Sequence, residues 1–198
     1  MASRDPVALH ERAADNLRFI RETMERAGSF TAVPGVSGMV MGGAAAAAAW
    51  FAHVARAAGI GAWLRVWLIC LCFSLVAGAI GLALKARRFG VPLFSGVGRK
   101  FALSMAPPLV VGAVLTLALM RWGVADSLPG VWMLLYGAGV ATGGAFSIRL
   151  IPVLGVLFMI AGAVTLFLPV WVGDYMMAAT FGGLHIVFGW IVARRYGG

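Results

Sequence analysis

The sequence predicts an all-α, polytopic membrane protein: a six-transmembrane-helix bundle preceded by an amphipathic cytoplasmic helix. Three observations predict it. The 198 residues are 62% hydrophobic, with a mean hydropathy of +0.94, and only 12% are charged, about half the share usual in a soluble domain. The apolar residues fall in long blocks separated by short charged or turn-rich pieces. The sixteen Lys and Arg are spread unevenly among those pieces.

Residues 1–28 read as a helix outside the membrane and residues 29–198 as the membrane domain. Asp5 is an N-cap candidate, Pro6 suits the first helical position, and Gly28 is a natural stop. Leu9, Ala13, Leu17, Ile20, Met24 and Ala27 recur at helical spacing and form one apolar stripe. The opposite face carries Glu11, Arg12, Asp15, Arg18, Arg21, Glu22, Glu25 and Arg26, whose charges cancel. A helix built to bind anionic lipid would carry excess Lys and Arg. The stripe therefore suits docking on the protein's own membrane domain, an interfacial position, or pairing with a partner. Its spacing also fits about three heptads. Leu9, Leu17, Ile20 and Met24 are the candidate partner-binding residues.

Past a turn at Pro34–Gly35, spans are expected at about 36–55, 63–84, 102–121, 128–147, 151–170 and 175–193, since a helix needs roughly 20 residues to cross a bilayer. The stretch from Lys85 to Lys100 is too polar to span. Six spans place thirteen Lys and Arg on one side and three (Arg56, Arg65 and Arg121) on the other. Basic residues hold loops in the cytoplasm. This predicts cytoplasmic termini, and five or seven spans would spoil the asymmetry. The net charge of +9 is explained in the same way, with no direct nucleic-acid partner.

Helices in lipid associate through small residues. The 27 glycines include small-xxx-small runs at Gly38–Gly42–Ala46, Ala77–Gly81, Gly139–Gly143 and Ala178–Gly182, which predict a tight bundle. A faint echo links span two (Ala77-Gly78-Ala79-Ile80) to span five (Ala161-Gly162-Ala163-Val164). Further echoes link Arg121-Trp122-Gly123 to Arg195-Tyr196-Gly197, and Gly42-Gly43-Ala44 to Gly143-Gly144-Ala145. Three spans per unit would make the halves inverted, as in many transporters. Chance also yields such matches in so Gly- and Ala-rich a chain.

The candidate chemistry is sparse. No Asp, Glu or Lys falls inside an expected span, whereas ion-coupled transport normally uses intramembrane carboxylates. Asp126 and Asp174, the only acids past residue 25, are assigned to external loops. There they are either tolerated or a weak cation site. His185 is the one ionisable group deep in a span; its neighbours Ala178, Gly182 and Gly189 favour an imidazole bonded across a helix interface. Pro107 and Pro108 remove two backbone donors a few residues into span three, which predicts either a packing kink or a cavity. Cys70 and Cys72 point to opposite helix faces and read as packing residues. No nucleophile–base pair, phosphate loop or metal spacing occurs, and a haem would need a second His at the depth of His185. No cofactor and no catalysis are expected.

The run from Ile20 through Thr23-Met-Glu-Arg-Ala-Gly-Ser-Phe-Thr-Ala-Val-Pro-Gly35 resembles the opening of a family of uncharacterised bacterial integral membrane proteins. Ser104-Met-Ala-Pro-Pro108, Gly182-Gly-Leu-His185 and Arg194-Arg-Tyr-Gly197 carry the same resemblance, which extends over nearly the whole chain. It implies a membrane protein and no particular activity. The residues themselves favour a non-enzymatic anchor, scaffold or accessory subunit that presents residues 1–28 to a cytoplasmic partner or to a second copy. The alternative is a small channel or uncoupled carrier with a cavity at Pro107–Pro108.

Overall fold

The computed structural model describes residues 15–20, 34–89, 96–145 and 147–196. Leu9 and Met24, with the proposed cap Asp5 and stop Gly28, lie outside those residues. Residues 15–20 are helical.

Six helices follow: α1 Gly35–Ala55, α2 Ile60–Phe89, α3 Gly96–Arg121, α4 Leu128–Gly144, α5 Leu150–Leu166 and α6 Val172–Tyr196. There is no strand among the described residues. Four stretches are long and apolar enough to cross a membrane: Gly35–Ala58, Ile60–Arg88, Arg99–Arg121 and Val172–Tyr196. Helices α4 and α5 have 17 residues each.

The local chemistry explains the boundaries. Gly59 at φ 102° and Gly123 at φ 72° take positive φ where helices end, which costs glycine little. Pro129 sits in the first turn of α4, where no donor is lost. Helix α2 outruns its expected span because Lys85–Phe89 remain helical, with Arg87 and Arg88 beside the negative end of the helix dipole. Pro107 and Pro108 do not interrupt α3, which runs on through both. Helix α6 changes pitch within itself: Ala178–Leu184 is a π-helical segment between α-helical Val172–Met177 and His185–Tyr196.

Glycine sets the helix pairing. Gly35, Gly38 and Gly42 of α1 meet Ala193, Gly189 and Gly182 of α6 so closely that an added Cβ on Gly42 would stand 2.7 Å from the Gly182 carbonyl. Gly137 and Gly162 of α4 and α5 face Gly155 and Gly130 in the same manner. Helix α1 thus packs on α2 and α6, and α4 packs on α3 and α5. These are two three-helix bodies. Between them lies a core of Trp63, Met133, Phe158 and Met177, all at most 1% exposed.

The outer surface is apolar. Ile69, Phe73, Val76 and Ile80 on α2, Val110, Val114 and Leu117 on α3, and Val153, Ile160 and Val164 on α5 are exposed. A soluble monomer rarely shows apolar surface on this scale. Among the described residues of the six helices and their turns, charge is confined to the two ends. Lys85, Arg87, Arg88, Arg99, Lys100, Arg149, Arg194 and Arg195 gather at the end where Lys85 Nζ donates to the Tyr196 carbonyl at 3.3 Å. Arg56, Arg65, Arg121, Asp126 and Asp174 gather at the other, with exposed Trp50, Trp122, Trp171 and Tyr175 nearby.

Candidate functional site

Asp174 lies in the first turn of α6 and is buried, with 2% of its side chain exposed. Apolar flanks alone would make an ionised carboxylate there very costly. Donors from three places in the chain satisfy it. Trp63 Nε1 of α2 donates to Oδ1 at 2.7 Å, and Arg56 Nε, in the turn after α1, donates to Oδ2 at 3.0 Å. His53 Nδ1 lies 3.4 Å from Oδ2. Arg56 then reaches across to the second body, where Nη1 donates to Asp126 Oδ1 at 2.8 Å. Its guanidinium also stands 5.0 Å over the Trp63 ring. The two acids assigned to loops are therefore bound to one arginine, and Asp174 belongs to a helix.

From Arg56 a column of rings descends between the bodies. Trp63 stacks on Trp132 at 5.3 Å and tilts against Trp67 at 6.3 Å. Trp67 meets Phe181 at 6.2 Å, and Phe181 stacks on His185 at 6.1 Å. Tyr136 and Phe158 close the other side, with centroids 5.4 Å from His185 in each case.

At the foot of the column the Tyr136 hydroxyl lies 2.7 Å from His185 Nε2. Nδ1 is buried without a well-formed hydrogen bond and faces the Thr180 and Phe181 carbonyls. A neutral ring with its proton on Nδ1 fits this setting: Nε2 accepts from Tyr136, and the proton points at the π-segment's backbone. The imidazole does bond across a helix interface. Its partner is on α4, whereas Gly182 and Gly189 face α1. Trp67 Nε1 and Arg56 Nη2 are also buried without hydrogen-bond partners, so polar atoms in need of a partner recur along this column.

The remaining sequence candidates lie elsewhere. Pro107 is exposed on the outside of α3, and Pro108 is half-buried near Gly139 of α4. A cavity of about 140 Å³ opens instead at the Asp174 end, lined by Asp126, Ser127, Gly130, Thr165, Leu166 and Pro169 among others. Leu17 and Ile20 are 67% and 51% exposed. Among the described residues, no three His, Cys, Asp or Glu side chains converge to hold a metal ion. Arg56, Trp63 and Tyr136 were not singled out from the sequence. The available signal was that a chain with two acids past residue 25 places both of them, with Arg56, at one end of the helices.

The fold and surface define a helical protein whose long apolar helices are compatible with a membrane location. Comparison with protein-family models, with curated proteins and with solved structures finds no match.

Proposed function

We propose that this chain is an integral protein of the bacterial inner membrane, with six spans and both termini in the cytoplasm, and that it works without catalysis as an anchor. It presents residues 1–28 to a cytoplasmic protein partner or to a second copy. One observation carries the reading: Leu17 and Ile20, the described members of the apolar stripe, are exposed and not docked on the helices they precede. An exposed apolar stripe calls for a covering surface, and its balanced charges favour a protein over anionic lipid. Two further features support the membrane part. Exposed Trp50, Trp122 and Trp171 ring one end, as aromatic side chains do at a membrane interface. Basic residues crowd the opposite end, which is then cytoplasmic. The 17-residue α4 and α5 are about 25 Å long and count as spans at the lower limit of length.

The test is affinity capture of the full chain in mild detergent, with and without residues 1–28. Loss of co-purifying protein, or a drop in oligomer size, is expected on deletion. Unchanged recovery and size would defeat the reading.

An uncoupled carrier is the second reading. It is favoured by the π-helical segment of α6, which lies along the buried ring column, and by the two prolines inside α3.

A further inference from the structure

The contacts of one half of the molecule repeat in the other, upside down. In the first half Gly78 of α2 faces Met41 of α1, and in the second Gly162 of α5 faces Leu134 of α4. These two glycines are the centres of the Ala-Gly-Ala echo. Nearer the helix ends, Gly81 faces Ser37, and Leu166 faces Gly130. The third helix of each unit crosses to the other unit's first helix in a register that matches to within one residue. Gly189 meets Met39 as Thr116 bonds Trp132. Gly42 meets Ile186 as Leu135 meets Gly112, and Ala46 meets Gly182 as Gly139 meets Pro108. Along each first helix the matched positions advance together, and along each third helix they run back together. Chance similarity in a Gly-rich sequence does not dictate such a register. Only the third echo fails: Gly42 packs mid-helix on α6, whereas Gly143 ends α4 beside Phe101.

The match brings together two features that have separate causes. Pro108 of α3 falls opposite Gly182 of α6, so the di-proline and the π-segment occupy the same place in the two units. At one depth the third helix of each unit carries a distinctive feature, a π-helical segment in α6 and two prolines inside the continuous α3.

The two bodies are held together differently from within. Inside each body one helix pair, α1–α6 in the first and α4–α5 in the second, meets backbone to backbone through glycine. Between the bodies the links are mainly side chains: the Trp63–Trp132 stack, Tyr136 with His185, Thr180 with Met133 Sδ at 3.2 Å, and Arg56 with Asp126. Gly173 packs against the Pro129 ring at the Asp174 end. Among the described residues, Arg56 and Asp126 form an ionic tie between the bodies at that end. Arg149, which follows α4 as Arg56 follows α1, is exposed, and Asp126 and Asp174 are both at the opposite end.

We infer that residues 34–123 and 128–196 are inverted repeats whose two three-helix bodies rock on the Trp63–His185 ring column, and that Arg56–Asp126 latches the arrangement closed at the Asp174 end. Breaking the latch populates a second arrangement open at that end.

Pulsed electron-paramagnetic-resonance distances in liposomes test this. Spin labels are placed on the full chain after Cys70→Ala and Cys72→Ala. Ala57→Cys with Trp122→Cys spans the two bodies at the latched end, and Ala57→Cys with Tyr175→Cys lies within one body. In Asp126→Asn the long-distance share of the first pair should rise, by up to about fivefold for a partly exposed ion pair. The second pair should stay fixed. Arg56→Gln should act in the same direction. One unchanged narrow distribution for the first pair in both variants would overturn the proposal. So would equal broadening of both pairs, since that is local loosening and not the movement of bodies.

Discussion

Asp174 and Asp126 share one arginine but not one environment. Asp174 is 2% exposed and fully bonded, so removing its charge leaves Arg56 and the Trp63 N–H facing a weaker acceptor in a buried site. Breaking a buried pair by removing one partner costs roughly 3–5 kcal/mol. Asp126 is 57% exposed, where an ion pair contributes at most about 1 kcal/mol. Asp174→Asn should therefore lower the thermal midpoint in detergent far more than Asp126→Asn, as read by scanning fluorimetry. Equal shifts would mean that the network does not hold the helix ends together. This difference was not legible in the sequence. Both acids stand alone beside apolar runs; the arginine they share is 118 positions from Asp174 and 70 from Asp126, and Trp63, which bonds Asp174 alone, is 111 positions away.

At the level of helices, the small-residue pattern was legible. Gly38, Gly42 and Ala46 do face α6, and Gly182 answers them. Three atoms or fewer in a side chain leave room for a neighbouring backbone, and sequence spacing alone identifies such a face. The π-segment was not legible. No proline or polar cluster marks Ala178–Leu184; it arises where α6 must present Gly182 to α1 and His185 to α4 together. Nor was the fate of Pro107–Pro108, because a helix keeps its course through prolines when the freed carbonyls find other partners. The glycines of α1 provide a signed test. An added methyl on Gly42 meets the Gly182 carbonyl, and overpacking of this kind costs about 1–3 kcal/mol. Gly43 faces open space, where alanine gains about 0.5–1 kcal/mol of helix stability. Gly42→Ala should lower the melting temperature and Gly43→Ala should raise it slightly. The reverse order would show that the α1–α6 contact is looser than described.

For the molecule as a whole, composition and block pattern read directly as an all-helical chain, because apolar segments of this length have few other folds. The number of crossings rests on α4 and α5, which length alone leaves at the margin. Impermeant maleimide labelling of intact cells settles it. In the background lacking Cys70 and Cys72, Ala57→Cys should label from outside, and Arg149→Cys only after permeabilisation. Labelling of both from outside would remove two of the six crossings. The unequal helix lengths have a consequence for the surrounding lipid. A 30-residue α2 is about 45 Å long, while α4 and α5 reach about 25 Å, against a hydrocarbon layer of about 30 Å. One flank must tilt or project beyond the acyl chains, and the other must draw the two leaflets together. On the proposed six-span reading the bilayer is thinned on one flank only, and its thickness becomes a force acting across the seam between the two halves.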